Sequence, residues 1–531
     1  MYKILITDQL GQAGLDLLDQ MADVTHEVRT QLTAEELREQ LPQFDALIVD
    51  SETKIDAEIL AQVQKLKVIG RTGISVENID LHVATRQGII VMNIPDANST
   101  GTAEHTIALM LATSRHLVQA HTSVQQKQWE RNLYVGRQLK EKTLGIIGLG
   151  RIGSLVAEYA KTFDMTVIAY DPYVSERVGR DLGIELVDFE DLLTRANYIS
   201  LHCSATPETE NLINTTTLSK MNAGTILINV AHGQLIDEAA VTAALENGTL
   251  AGVGIDAYTA EPPITSPLIG HPSVIHTPRL GANTSEALHT VSIDLVEQVV
   301  NALQQKDFRH AVNVSFPRDI TFTQIRPYID LAEAIGRIQH NLADGVINKV
   351  QLEVTGAALE NSIKLLASSV LKGVLNEREA QINMVNAPIL AQELGVSISQ
   401  EYDMSEIDYS NLITCRAYWQ NQAGEEASRT VSGVLFGGSE PRIVQVDEYR
   451  LEAKPQGHVV VMRNEDKPGV IGQVATLMAA YGVNIGEWRL GREKLGGEAL
   501  CFINVDKEPP NVVLNALAQA NAITEVKLMK L

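Results

Sequence analysis

Three cysteines in 531 residues, Cys203, Cys415 and Cys501, are too few and too scattered for a disulfide framework or a metal cluster. They read as reduced thiols in a cytoplasmic setting. Long apolar runs are missing too: no stretch of about 18 apolar residues occurs, so no membrane span is expected. The N-terminal "MYKILITDQL" lacks the length and the small-residue cleavage site of a secretory leader, and Tyr2 to Thr7 read as a first strand. Positive charge is short, with 43 Lys and Arg against 66 Asp and Glu and a formal net charge of -23. An acidic surface repels phosphate backbones, which argues against a nucleic acid partner. Low-complexity segments and internal repeats are absent. What remains is an ordinary globular mixture, 45% hydrophobic and 21% charged, with length for three or four domains.

Residues 1–97 alternate the apolar runs "KILIT", "ALIVD", "KVIG" and "IIVMN" with helical stretches. Residues 98–290 repeat the pattern with "TLGIIGLG", "TVIAYD", "YISLH", "TILINV", "AGVGID" and "SVIHT". Short β-branched runs separated by helices predict parallel sheets, so the fold class is α/β with two doubly wound, Rossmann-like domains. From about residue 318 the runs "NKVQLEV", "NLITCRAYW" and "RIVQVDEYRLEA" alternate polar and apolar residues, as half-solvated sheets do. With the helical "NSIKLLASSVLKGVL" they predict an α+β domain ending near Gln456. Residues 457–531 read as strand, helix, strand, hairpin, strand, helix, strand, a ferredoxin-like βαββαβ unit.

"TLGIIGLGRIGSLVAEYAKTF" carries Gly148-x-Gly150-x-x-Gly153 after a strand and at the start of a helix. That context turns a weak motif into a dinucleotide fingerprint. Gly148 allows the tight turn and Gly150 the approach of a pyrophosphate. Arg151 and Ile152 open the helix, and Gly153 lets it sit close to the strand. Asp171 closes the next strand, where a carboxylate accepts hydrogen bonds from a ribose 2′-OH and repels a 2′-phosphate. NAD is therefore expected rather than NADP.

Several further stretches fit one family. Residues 97–106, "ANSTGTAEHT", follow its GNxxSxAEHT pattern, "KQWER" its GKWER and Thr206 to Thr209 its TPET. "INMVNAPILAQELG", "GGSEPRIVQVDEY", "NEDKPGVIGQV" and "VNIGEWRLGR" fit its C-terminal half. Over its whole length the chain resembles the long-form D-3-phosphoglycerate dehydrogenases, a branch of the D-2-hydroxyacid dehydrogenases. The resemblance implies four parts: a substrate-binding α/β domain of residues 1–97 with 291–317, an NAD-binding domain of 98–290, an allosteric substrate-binding-like domain of 318–456, and an ACT domain of 457–531. It implies NAD-dependent oxidation at C2 of 3-phosphoglycerate, the first step of L-serine formation. It also implies a homo-oligomer, and serine as an effector held around Asn464, Asp466, Gly469 and Asn484.

The family pattern places its catalytic glutamate at Glu261, the aspartate near the nicotinamide at Asp256, and substrate contacts at Arg71, Gly73, Ser75 and Asn98. Three positions depart from it. His232 stands where the family has an arginine, Arg279 where it has the catalytic histidine, and Asp50 where it has a substrate-binding arginine. Ser75 replaces a glycine of the same loop. Arg279 stays charged at any ordinary pH and cannot be a base. Two readings stay open for the exchanged pair: a transposed site with His232 as the base and Arg279 as a fixed cation, or positions that drifted once turnover was no longer needed. The second makes the chain an NAD-binding, amino-acid-sensing subunit that assembles with an intact relative. Asp50 adds a third possibility, a dehydrogenase of another 2-hydroxy or 2-oxo acid, unless it pairs with Lys54 or Arg71. His105 reads as a structural helix residue, and His310, His340 and His458 have no metal-ligand spacing.

Overall fold

The short apolar runs of the first 290 residues form strands buried on both faces, as parallel strands flanked by helices must be. A computed structural model describes the chain except for residues 51, 74, 95–98, 318–319, 377–380, 404–408 and 422. It divides into two compact units, Pro95–Ser292 and the combination of Met1–Ile94 with Ile293–Leu531.

The unit Pro95–Ser292 is built on a seven-stranded sheet. In spatial order its strands are Val274–His276, Leu250–Ile255, Thr225–Asn229, Tyr198–Leu201, Thr143–Ile147, Thr166–Tyr170 and Glu185–Leu186, all parallel. The chain order reverses at Thr143–Ile147, which lies between Tyr198–Leu201 and Thr166–Tyr170. Ligands of open α/β sheets bind beyond the carboxyl ends of strands at such a switch point. Helices Ser99–Arg115, Arg151–Thr162 and Glu238–Glu246 bring buried faces to the unit's core.

The other unit contains three sheets. The first has five parallel strands in the order Val24–Val28, Tyr2–Ile6, Ala46–Val49, Val68–Arg71, Ile90–Met92. The second has six: Ser397–Asp403, Ile347–Thr355, Leu412–Gln420, Glu426–Phe436, Glu440–Val446 and Tyr449–Ala453. Its first pair is parallel and the rest antiparallel, and the helices Phe322–Leu342 and Ile363–Leu375 pack together beside it. The third is the four-stranded antiparallel sheet Ile485–Arg492, Glu498–Val505, His458–Glu465, Ile523–Lys530, with helices Val470–Ala480 and Asn511–Ala518. That is the βαββαβ arrangement expected from the sequence.

Four strands were not among the sequence expectations. Val24–Val28, Glu185–Leu186 and Ser397–Asp403 lie at sheet edges. The 7-residue Ser397–Asp403 has no fully buried position, so no apolar alternation marks it. Glu426–Phe436 is masked by Ser and Gly among its apolar residues. The run "RIVQVDEYRLEA" is two strands, because Asp447, at φ 49°, turns the chain after Val446. A two-residue turn preserves the period of two, so alternation alone cannot reveal it. Among the described residues no helix is long and apolar enough to cross a membrane.

Candidate active site

The nucleotide loop is shaped by contacts that leave no room for side chains. Gly148 sits at φ 95°, where a Cβ would lie 2.6 Å from the Cys203 amide nitrogen. A Cβ on Gly153 would lie 2.2 Å from the Gly148 carbonyl oxygen, so the helix Arg151–Thr162 is held against the loop. Gly150 caps that helix, and a Cβ there would meet nothing within 4 Å. Free N–H groups beside an open, side-chain-free surface suit a pyrophosphate. Asp171 accepts from the Leu149 N–H at 2.9 Å and the Tyr173 N–H at 2.9 Å, which ties the end of the neighbouring strand to the loop. Ile152 is half-buried and Arg151 exposed at the helix start. This donor set fits NAD.

Behind the loop, Ser200 Oγ and His202 Nε2 lie 2.8 Å apart. Desolvation pushes the His202 ring down to about 3, so it is neutral at any physiological pH.

His232, Asp256, Glu261 and Arg279 all follow the carboxyl ends of three adjacent strands, Thr225–Asn229, Leu250–Ile255 and Val274–His276. The Asn229 amide donates to the His232 carbonyl at 2.8 Å. A Cβ on the next residue, Gly233, would lie 2.0 Å from the Tyr258 carbonyl carbon and 2.2 Å from the Thr259 nitrogen. That contact seats the His232 turn directly on the loop that carries Glu261. Asp256 is 4% exposed. It accepts from Thr277 Oγ1 at 2.6 Å, the Leu280 N–H at 2.7 Å and the Gly281 N–H at 2.9 Å. His105 Nε2 lies 3.5 Å from the same carboxylate and 3.0 Å from Thr277 Oγ1. Burial pulls the Asp256 carboxyl upward, but the hydrogen bonds from His105, Thr277, Gly281 and Leu280 outweigh it and hold it below the usual carboxylate range. Asp256 therefore grips the turn that presents Arg279, which itself adopts φ 55°.

Arg279 Nη1 donates to Glu261 Oε1 at 3.0 Å, forming an ion pair. Both side chains are more than 40% exposed, so the pair serves position more than stability. Tyr258 stands underneath, its hydroxyl donating to the Thr277 carbonyl at 3.1 Å. Burial and the nearby Asp256 charge push its phenol up to about 12. Sequence reasoning did not single out Thr277, Tyr258 or Gly233. It placed His105 in a structural role, and its Thr277 and Asp256 contacts now give that role content.

In the other unit, Arg71 ends the strand Val68–Arg71, and Asp50 directly follows its register partner Val49, the last residue of the neighbouring parallel strand. Their side chains form an ion pair at 3.7 Å, with Arg71 12% and Asp50 43% exposed. The pairing of Asp50 with Arg71 is thus realised. Gly73 is buried, and the Ser75 hydroxyl accepts from the Glu77 N–H at 3.3 Å. Asn98 lies outside the described residues.

In the C-terminal sheet, Gly469 at φ 97° caps the helix Val470–Ala480. Asp466 accepts from Arg492 Nη1 and the Gly496 N–H, both at 3.1 Å. The Asn484 amide donates to Asp506 at 2.7 Å. Asn464 is 2% exposed and donates to the Glu465 carbonyl at 2.8 Å.

Comparison with known proteins matches three family models. Residues 107–281 match the NAD binding domain of D-isomer specific 2-hydroxyacid dehydrogenases, 324–447 the D-3-phosphoglycerate dehydrogenase intervening domain, and 458–522 the ACT domain. D-3-phosphoglycerate dehydrogenase of Synechocystis is 36% identical over 534 residues, covering 100% of this chain and 95% of the relative. That of Methanocaldococcus jannaschii is 37% identical and that of Bacillus subtilis 35%, each covering 100% of both chains. Among solved structures, the TT0316 protein of Thermus thermophilus is 33% identical with a TM-score of 0.54, covering 58% of this chain and 99% of its own. D-lactate dehydrogenase of Aquifex aeolicus, complexed with NAD and lactic acid, is 27% identical with a TM-score of 0.51, covering 57% of this chain and 96% of its own. With relatives this similar from end to end, and with the nucleotide loop and strand-end carboxylates in place, the chain belongs to the D-3-phosphoglycerate dehydrogenase family of NAD-dependent 2-hydroxyacid dehydrogenases.

Proposed function

We propose that this chain oxidises 3-phosphoglycerate at C2 with NAD, the first step of L-serine formation, through a site in which histidine and arginine have exchanged places. The end-to-end similarity to D-3-phosphoglycerate dehydrogenases, intervening domain included, carries this reading. It favours the dehydrogenase over the regulatory-subunit and other-acid readings. Gly148, Gly150, Gly153, the N–H groups of Arg151 and Ile152, and Asp171 would hold NAD, which when bound accepts the hydrogen and electron pair leaving C2. His232 takes the proton of the C2 hydroxyl, because Arg279 cannot. Arg279, fixed by Glu261, supplies positive charge to the oxygen as it becomes a carbonyl. Arg71, with Gly73, Ser75 and Asn98, receives the substrate's carboxylate. The same reading keeps the four-part division at 1–97 with 291–317, 98–290, 318–456 and 457–531.

Two regulatory features belong to the proposal. Asn464, Asp466, Gly469 and Asn484 mark the place of an amino-acid effector, serine first among them. Self-association is supported by the exposed apolar side chains of residues 117–135.

The test is NADH oxidation with phosphohydroxypyruvate, alongside independent NADH binding. Turnover is expected, falling about 100- to 10,000-fold in His232→Ala while NADH binding holds. No turnover by the parent chain with NADH bound overturns the reading.

A further inference from the structure

Glu261 lies in a segment with little to hold it. Of residues 259–270 only Leu268 is buried, at 0% exposure, and Glu261 itself is exposed. The segment leaves the sheet at Tyr258, 6% exposed, and its next fixed point is Leu268; both belong to one apolar core. Apolar burial keeps a side chain inside without setting a direction, because the hydrophobic effect is non-directional. Direction comes from His276, the last residue of the strand Val274–His276. Its Nε2 lies 3.0 Å from the Leu268 carbonyl oxygen. A carbonyl only accepts, so Nε2 carries the proton. Nδ1 is then the acceptor side of a neutral ring, 3.4 Å from Tyr258 Oη. Burial holds the ring below its ordinary titration range, which keeps it neutral at pH 7. The two rings stack with centroids 6.1 Å apart and planes at 21°. The Leu268 carbonyl also receives the His271 N–H at 3.2 Å, a bond within the segment's own turn, so the bond from His276 is what ties it to the strand.

His276 thus touches both anchors of the Glu261 segment. The residue after it, Thr277, receives the Tyr258 hydroxyl on its carbonyl at 3.1 Å and gives its own hydroxyl to Asp256 at 2.6 Å. Two residues further on stands Arg279. Glu261 Oε1 accepts from the Tyr258 N–H at 3.4 Å and from Arg279 Nη1 at 3.0 Å. One strand end therefore fixes both partners of the ion pair, Arg279 through the chain and Glu261 through Tyr258 and Leu268. The pair is too exposed to fix its own geometry. We propose that His276 is a positioning residue for the reaction: its bond to the Leu268 carbonyl sets Glu261 against Arg279 and so aims the guanidinium at the reacting oxygen. This rests on the reading that Arg279 supplies positive charge to the C2 oxygen.

The experiment compares the full-length parent with His276→Phe, which keeps a ring and removes the donor, and His276→Gln, whose amide can donate to the same carbonyl. Hydrogen exchange is read at the amides of Ser266, Leu268, Ile269 and His271, all bonded within the segment. In His276→Phe these should exchange about tenfold faster while the strand Leu250–Ile255 keeps its protection, and His276→Gln should stay near the parent. Steady-state kinetics with phosphohydroxypyruvate give the second readout. His276→Phe should lower kcat about 10- to 100-fold with KM for NADH unchanged, and His276→Gln should recover most of that loss. In an Arg279→Ala background, His276→Phe should cost no more than about twofold further, because its effect runs through the arginine. Parent-like exchange in His276→Phe overturns the tie. Faster exchange with parent kcat, equal losses in both variants, or full additivity with Arg279→Ala overturns the positioning role. A parent that binds NADH without turnover overturns the functional reading and, with it, the role in the reaction. Exchange still decides then whether the tie exists, so the two failures stay distinct.

Discussion

Asp50 sets how Arg71 is used. An acid at the end of one strand neutralises the cation at the end of the next, so an incoming carboxylate must displace it. At about 5 Å and an effective dielectric of about 20, one unit charge is worth about 3 kcal/mol. Asp50 is 43% exposed, so screening leaves a fraction of that. Asp50→Asn is expected to lower KM for the phosphorylated acid about fivefold with kcat little changed, and the gain should shrink as salt rises. Steady-state kinetics at two ionic strengths decide it; an unchanged KM removes Asp50 from substrate recognition. Asp256 makes the opposite kind of contribution. Its Oδ1 accepts from Thr277 and Leu280 and its Oδ2 from Gly281, so an amide there sets an N–H against an N–H. Hydrogen bonds to a buried charged group contribute about 1.5–3 kcal/mol. Asp256→Asn should cost about that much at pH 7. The folded carboxyl lies below its unfolded value. Its contribution is therefore complete above about pH 4 and is lost as pH falls through the folded value. Urea midpoints of both proteins should converge under acid, and a gap that stays constant below pH 4 would refute the assignment.

At the scale of elements, what was legible and what was not divides on burial. Strands such as Thr225–Asn229, buried at every position, advertise themselves as apolar runs. Ser397–Asp403 is paired along one side only and half-exposed throughout, so its residues answer to solvent rather than to a core. The nucleotide loop was legible because its three glycines have spacing. Gly233 was not, because the need for it arises from Tyr258 and Thr259, 25 and 26 residues away in sequence. Those two kinds of glycine should fail differently. Gly233→Ala drives a Cβ into backbone that cannot move aside, and is expected to cost about 2–3 kcal/mol. It should also displace the Glu261 loop, where a misplacement of about 1 Å costs about 100-fold in rate. Gly150→Ala meets nothing within 4 Å at φ -77°, so the melting temperature should hold while NADH binding weakens. Equal melting losses in the two variants would show that the Gly233 contact is not what seats the loop.

For the whole molecule, a net charge of -23 works against association of like chains, so any interface has to avoid concentrating that charge. The segment 115–135 does avoid it. It carries Arg115, Lys127 and Arg131 against the single acid Glu130. It also exposes Leu117 at 53%, Val124 at 56%, Trp129 at 85%, Leu133 at 68% and Val135 at 78%. An apolar surface of this extent on the helix Leu117–Gln125 and the 3₁₀ turn Arg131–Tyr134 is costly to leave in water, and large exposed patches mark interaction sites. In the self-association proposed above, a second copy of the same segment would meet it without bringing the chain's bulk negative charge into contact. Buried tryptophans at interface centres commonly contribute about 2 kcal/mol or more. Trp129→Glu, which sets a carboxylate in this exposed apolar segment, should therefore weaken the proposed self-association at least about 30-fold, read by sedimentation at rising protein concentration. Higher salt should partly restore association by screening the added charges, within a screening length of about 8 Å at about 0.15 M. An assembly that sediments identically with Trp129→Glu would move the interface elsewhere on the chain and leave this apolar face to a different partner.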